Sequence, residues 1–441
     1  MGPEFPIAQP QQEQRVPRWS LGLRVGFRFC FVYFGLYCIY TQIFGGLISI
    51  PKMETIELSS FWPMRQITFW TAAHVFHAQL PLIYTGSGSG DKTFDWVLAF
   101  CLLVFAAVAS AVWSVLDRRR ENYVTLHKWF RFFLRFALAS QMVGYGMAKI
   151  IPMQMPFPYL TRLVEPFGNF SSMGILWASI GASPAYEMFA GSAEMLGGIL
   201  LILPWTTMIG ALVCAADMTQ VFMLNMTYDV PVKLFSFHLL LMAWFLLAPE
   251  FQRLADFFFR NRDVAPSSQP PLFRIRRANR IAITAQIAFG IWMVGTAAYG
   301  GWSDWNRYGG GRPKSALYGI WSVDELSIDG QLRSPLLTDY DRWRRAIFDS
   351  TSAMAFQRMD DSFARYGASI NLNDKILALT KSGDKTWKAS FTFQRVLPDQ
   401  LILDGNMDSH RIHVRLQLID RDGFLLVNNR FHWIQEYPVN R

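Results

Sequence analysis

Seven long apolar stretches, separated by polar or basic segments, fill the first two thirds of the chain. A helix needs about 20 mostly apolar residues to cross a bilayer, and each stretch approaches or exceeds that. The predicted spans are Arg24–Ile50, Phe94–Leu116, Trp129–Ile151, Tyr186–Leu203, Thr206–Met226, Val232–Leu247 and Ile281–Tyr299. Two connections have patterns of their own. "FWPMRQITFWTAAHVFHAQLPLIYTGSGSGDKTF" predicts a helix lying at the interface, anchored by Trp62 and Trp70, then a Gly-Ser turn. "PMQMPFPYLTRLVEPFGNFSSMGILWASIG" is Pro-rich and aromatic and is expected to cap the helix bundle from outside.

From about Tyr318 the period changes to two. "YGIWSVDELSIDG", "KILALTKSGDKTWKASFTFQRV", "QLILDGNM" and "RIHVRLQLIDRDGFLLVNNRFHWI" alternate apolar with polar residues and break at Asp-Gly and Ser-Gly-Asp turns. Antiparallel hairpins have this signature. Seven or eight short strands predict a small barrel or curled sheet. The Gly319-x-Trp321 triplet suggests a lipocalin-type barrel, with other antiparallel folds left open. The predicted organisation is a cytoplasmic tail (1–23), an all-α multi-pass membrane domain (24–300) and an extracytoplasmic β-rich domain (301–441).

Composition agrees with a membrane protein. Hydrophobic residues make up 51% and charged residues only 17%, against roughly a quarter charged in soluble domains. The net charge of +9 would suit nucleic acid, but the basic residues lie in short segments between apolar runs, where they orient spans. Arg15, Arg18, Arg24 and Arg28 lie at the first span, Arg118, Arg119 and Arg120 follow the second, and Arg274, Arg276, Arg277 and Arg280 precede the seventh. The other loops carry few, among them Lys52, Arg65, Lys92, Arg162 and Lys233. The bias predicts a cytoplasmic N-terminus and an exported C-terminal domain, and the expected location is a bacterial inner membrane. The N-terminal segment lacks an apolar core and reads as a disordered tail rather than a signal peptide. The four cysteines fall in apolar stretches without a C-x-x-C pair, so no metal centre is expected.

Chemistry concentrates in the spans. Glu194, Asp217 and His238 sit about eight, nine and seven residues from the outer ends of theirs. At 1.5 Å per residue they share one layer, roughly 10–14 Å deep. Lys149 is placed to reach that layer from above, with Gln141 and Tyr145 beside it and Gln220 on the face of Asp217. Two readings stay open: an ion-pair network that only fixes packing, and a polar pocket open to the outer face. Gly144, Gly146, Gly197 and Gly198 would let helices approach closely around it. His74 and His77, spaced i, i+3 on the interfacial helix, are a weaker candidate pair for a metal or a quinone head group.

"MVGYGMAKIIPMQMPFP" and "AGSAEMLGGILLILP" together resemble the paired signatures of the DoxX/DoxD-like membrane proteins, whose wider superfamily includes the membrane part of vitamin-K-dependent carboxylases. The resemblance covers about residues 120 to 250 and implies a four-helix core within the larger bundle. It also implies redox-linked work on a quinone or similar apolar molecule. Lys149 would then polarise a head-group oxygen, while Glu194, Asp217 and His238 relay protons. The alternative is a non-enzymatic anchor or assembly protein, whose exported domain binds a lipid, an envelope component or a protein partner. There is no Walker motif, dinucleotide fingerprint or nucleophile–base spacing to point elsewhere.

Overall fold

The computed structural model describes residues 18–48, 57–264, 271–428 and 431–440. The predicted N-terminal tail up to residue 17, and the end of the first predicted span, lie outside them. The chain forms a helical part followed by an antiparallel β-barrel, and it divides into two compact units. One unit comprises residues 1–144 and 193–297, the other 145–192 and 298–441.

A helix forms at each of the seven apolar stretches. They are α1 (Leu21–Tyr40), α4 (Thr93–Leu116), α5 (Val124–Ile150), α8 (Pro184–Ile202), α9 (Thr207–Thr227), α10 (Lys233–Leu247) and α12 (Arg276–Arg307). Six helices among the described residues are long and apolar enough to cross a membrane; α10 extends through a 3-10 turn into α11 (Phe251–Phe258) to make one of them. The helix outside that set is α5, which carries Lys128, Arg131, Arg135 and Lys149. The first span is shorter than expected. At Thr41 the backbone turns extended and its hydroxyl donates to the Tyr37 carbonyl at 2.6 Å, so α1 stops and the short α2 (Gln42–Leu47) begins.

The basic segments of the first unit gather at one end. Trp19 N donates to Glu121 O at 3.0 Å, and Arg24 Nη1 to Arg120 O at 2.5 Å, joining the start of α1 to the α4–α5 connection. Lys128 Nζ donates to Leu272 O and Arg131 Nη2 to Leu246 O, both at 2.8 Å, adding the end of α10 and the segment before α12. The other ends of α4 and α10 also meet. Gly90 N donates to Pro231 O, and Asp91 accepts from Lys233 N and Leu234 N. Helix α3 (Met64–His74) forms where the interfacial helix was expected, packs Phe69 edge-on to Phe94, and leaves Trp62 and Trp70 exposed. Gly86 and Gly88, both at positive φ, make the predicted turn.

In the second unit nine strands among the described residues run from β1 (Gly319–Ile328), β2 (Gln331–Leu332) and β3 (Trp343–Phe348) to β9 (His410–Ile419). Between them lie β4 (Ala353–Arg358), β5 (Phe363–Asn371), β6 (Ile376–Lys381), β7 (Asp384–Leu397) and β8 (Gln400–Met407). Each neighbour pairs antiparallel, β2 adds a short hairpin to β1, and β1 pairs with β9 from Ile320↔Ile419 to Ile328↔Ile412. Eight strands thus close an up-and-down barrel, which removes the exposed edges of an open sheet. The inward residues of the period-two pattern fill it: Trp321, Phe348, Phe356, Phe391 and Leu403 are essentially inaccessible. Trp321 Nε1 donates to Leu317 O at 2.9 Å, so its polar atom is satisfied inside the core.

The loop expected to cap the bundle belongs to the barrel's unit and packs on the barrel. It contains α6 (Leu160–Val164) and α7 (Ser172–Gly181). Leu160 is buried with Ile320 and Ile347 of the barrel, and Gln357 Nε2 donates to Val164 O at 3.1 Å. Its aromatic and proline residues read alike for either role, and the choice depended on a barrel surface distant in sequence.

Candidate functional site

Glu194 lies on the face of α8 that packs on α5. A Cβ at Gly191, three residues earlier, would sit 2.6 Å from both Gly146 O and Lys149 Cβ; one at Gly198, four residues later, would sit 3.0 Å from Val143. Residues spaced three and four apart share a helix face, so Glu194 is held along a seam of near-contact backbones. It is 4% exposed. Asp217 of α9 and Glu194 both lie within electrostatic reach of Cys214, whose Sγ sits 2.9 Å from where a Cβ on Gly197 would be. Two of the predicted carboxylates therefore lie within electrostatic reach of one thiol at the α8–α9 contact.

His238 belongs to a second cluster, between α1 and α10. Its Nδ1 is 2.7 Å from Leu234 O, and its Nε2 is 2.7 Å from the Tyr33 hydroxyl. A carbonyl only accepts, so in the neutral ring Nδ1 carries the proton and Nε2 accepts from Tyr33. Tyr37 stacks on the imidazole with centroids 3.8 Å apart and planes 5° apart. The ring is clamped on one face and hydrogen-bonded at both nitrogens.

Lys149 is buried at the last turn of α5, its Nζ 5.9 Å from the centroid of the half-buried Tyr145 ring. Within electrostatic reach of it lies Glu187, a carboxylate absent from the residues predicted for the site. Glu187 is 0% exposed, and its Oε1 accepts from Met155 N at 2.8 Å. Its spacing was a signal: Glu187 precedes Glu194 by seven residues, two helical turns, with Gly191 between them on one face.

Gln141 is buried, with Nε2 donating to Ser140 Oγ at 3.2 Å. Gln220 is exposed. Helix α3 ends at His74, which stacks on Trp70; His77 follows the helix at φ 51°, so the two histidines share no helical face. The early stop follows from Val75 and the loop geometry that folds Ala78 N back to Ala72 O.

The chain is 31% identical over 113 residues to the uncharacterized protein YwoB of Bacillus subtilis (strain 168), a match taking in 26% of this chain and 71% of that protein. The chain belongs to the YwoB family. No family model matches this member, and no solved structure matches it.

The YwoB match leaves most of the chain outside it, and the second unit holds polar features that were not predicted. Arg312 Nη2 is 3.0 Å from Asp349 Oδ1, and the guanidinium lies 4.6 Å over the Tyr159 ring. Burial holds the Asp349 carboxyl above its usual range, against the pull of Arg312. The histidines of β9 pair with carboxylates, His413 with Asp404 across the β8–β9 ladder and His410 with Asp329 in the β1–β2 turn, both at 2.6 Å. Among the described residues, no group of three or more His, Cys, Asp or Glu side chains is arranged to hold a metal ion.

Proposed function

We propose that the chain is a multi-pass protein of a bacterial cytoplasmic membrane, similar to the DoxX/DoxD-like proteins, with redox-linked work on a quinone or comparable apolar molecule. Its helical unit takes the head group, and the barrel faces the extracytoplasmic side as a lipocalin-like module. The observation that carries this reading is the burial of Glu194 and His238, each 4% exposed, within α8 and α10. An ionisable group at such depth costs at least a few kcal/mol, and such residues usually line a site or a proton path. Tyr33 and His238 supply one hydrogen-bonded pair, with the phenol donating to Nε2 while Nδ1 stays fixed on Leu234 O. Glu194 and Asp217 supply carboxylates that can exchange protons near the head group.

Binding of decylubiquinone to the purified full chain, followed by quenching of tryptophan fluorescence, tests the reading. Glu194→Gln and His238→Gln should each weaken binding about tenfold, a loss of about 1.4 kcal/mol. Equal binding by both variants and the native chain would sink the proposal.

A second reading is favoured by a different observation. The barrel core is filled by its own side chains, among them Trp321, Phe356 and Phe391. Any recognition by the barrel would use its outer surface or its mouth, as in an anchor or assembly protein that binds a lipid, an envelope component or a protein partner. Quinone binding that survives both substitutions, or is absent from the native chain, favours this second reading.

A further inference from the structure

The second unit contains a cleft that the embedded site does not use. It has a volume of about 310 Å³ and is lined by Phe157, Tyr159, Arg312, Lys314, Tyr318 and Arg421, among others. It adjoins a larger cavity of about 480 Å³, with which it shares Tyr159, Arg312 and Asp349.

Three cations and one carboxylate face the smaller cleft, a net of +3 − 1 = +2 from Arg312, Lys314, Arg421 and Asp349. Each cation is laid over an aromatic ring: Arg312 on Tyr159 at 4.6 Å, Lys314 on Tyr318 at 4.7 Å and Arg421 on Phe157 at 5.7 Å. Ring stacking restrains the cations without neutralising them. Arg312 is paired with Asp349 at 3.0 Å, and this pair is the cleft's single salt bridge among the described residues. The buried Nε of Arg421 has no hydrogen-bond partner among the described residues. A preformed concavity with surplus positive charge and an unmet buried donor is suited to a multivalent oxyanion, and guanidinium matches phosphate geometry well.

The wall opposite the barrel places the cleft in depth. Pro152 lies just beyond the end of α5, Pro184 opens α8, and Trp305 lies in the last turn of α12. If these helices cross a bilayer, their ends lie at headgroup level, where tryptophan and arginine are at home.

We propose that this cleft binds a phosphate ester at the membrane surface, the headgroup of an anionic phospholipid in the leaflet on the barrel's side. The cations hold the phosphate, while the prolines and aromatic rings pack on the adjoining glycerol. The site is separate from the quinone reading and stands or falls without it.

The full chain, purified in nanodiscs of phosphatidylcholine with a minor share of phosphatidylglycerol, is examined by native mass spectrometry after release into detergent. The native chain should retain phosphatidylglycerol in preference to phosphatidylcholine. Lys314→Gln combined with Arg421→Gln should reduce that retention about tenfold, whereas Lys314→Arg with Arg421→Lys should keep most of it. Lys314 is exposed, so Lys314→Gln alone leaves the fold intact and should weaken retention measurably. Competition by millimolar glycerol phosphate would keep the phosphate site and assign it to a soluble ester. Equal retention by the native chain, Lys314→Gln and the double glutamine variant would overturn the site altogether.

Discussion

Buried charge shows how individual residues were resolved. Arg28 lies in the first apolar stretch yet is only 1% exposed. Its guanidinium donates to the Tyr123 hydroxyl, Ser114 Oγ and Asp117 O, and Tyr123 in turn donates to Asp117 Oδ2 at 2.8 Å. Those partners lie almost a hundred residues away, so composition marked Arg28 only as a basic residue near a span. Glu187 is the matching acidic case. Removing a buried acceptor leaves the Met155 N–H unmet, so Glu187→Ala should lower stability by about 1–3 kcal/mol. Glu187→Gln keeps a carbonyl for that N–H and should cost less than half as much. Thermal unfolding of the purified chain in one detergent measures both. Equal losses would show that the hydrogen bond is not what Glu187 contributes.

Elements were legible where hydrophobic period alone decides. The seven helices and the strand alternation were visible because each needs only local information: a long apolar run, or inward positions at every second residue. How helices pack was less visible. Gly144 looked like a contact glycine, but a Cβ there would meet nothing within 4 Å, while one at Gly191 would collide with backbone atoms of α5. Both are glycines in apolar helices, and only the rotation of each helix separates them. Gly191→Leu should therefore force α8 off α5 and cost about 3 kcal/mol, whereas Gly144→Leu should change stability by less than about 1 kcal/mol. Unfolding midpoints of the two variants decide the matter, and similar losses would contradict the seam.

At the scale of the whole molecule the basic segments bear on orientation. Three that are far apart in sequence are joined by hydrogen bonds at one end of the first unit, as expected if that end faces the cytoplasm. The second unit adds a parity argument. The loop after α5 packs on the barrel, so both lie on one side of any membrane, and if α8, α9, α10 with α11, and α12 each span it, four crossings return the chain to that side. In a background without the native cysteines, Lys388→Cys on β7 should react with a membrane-impermeant maleimide in intact spheroplasts. Arg119→Cys, in the α4–α5 connection, should react only after lysis. The reverse order would invert the molecule and move the phosphate cleft to the cytoplasmic leaflet.

The sequence by itself determined which segments are helical, where strand alternation begins, and which ionisable residues fall inside the apolar runs. These follow from composition and period, which depend on neighbours within a turn or two. Tertiary structure decided what the long loop covers, which glycine is a contact, and that β1 meets β9 to close the barrel. It also decided that Glu194 and Asp217 lie within electrostatic reach of Cys214 and that His238 is held by Tyr33 and Tyr37. Depth along a helix can be counted from sequence, but helix rotation and the choice of neighbour cannot, because both are set by packing between residues tens to hundreds of positions apart.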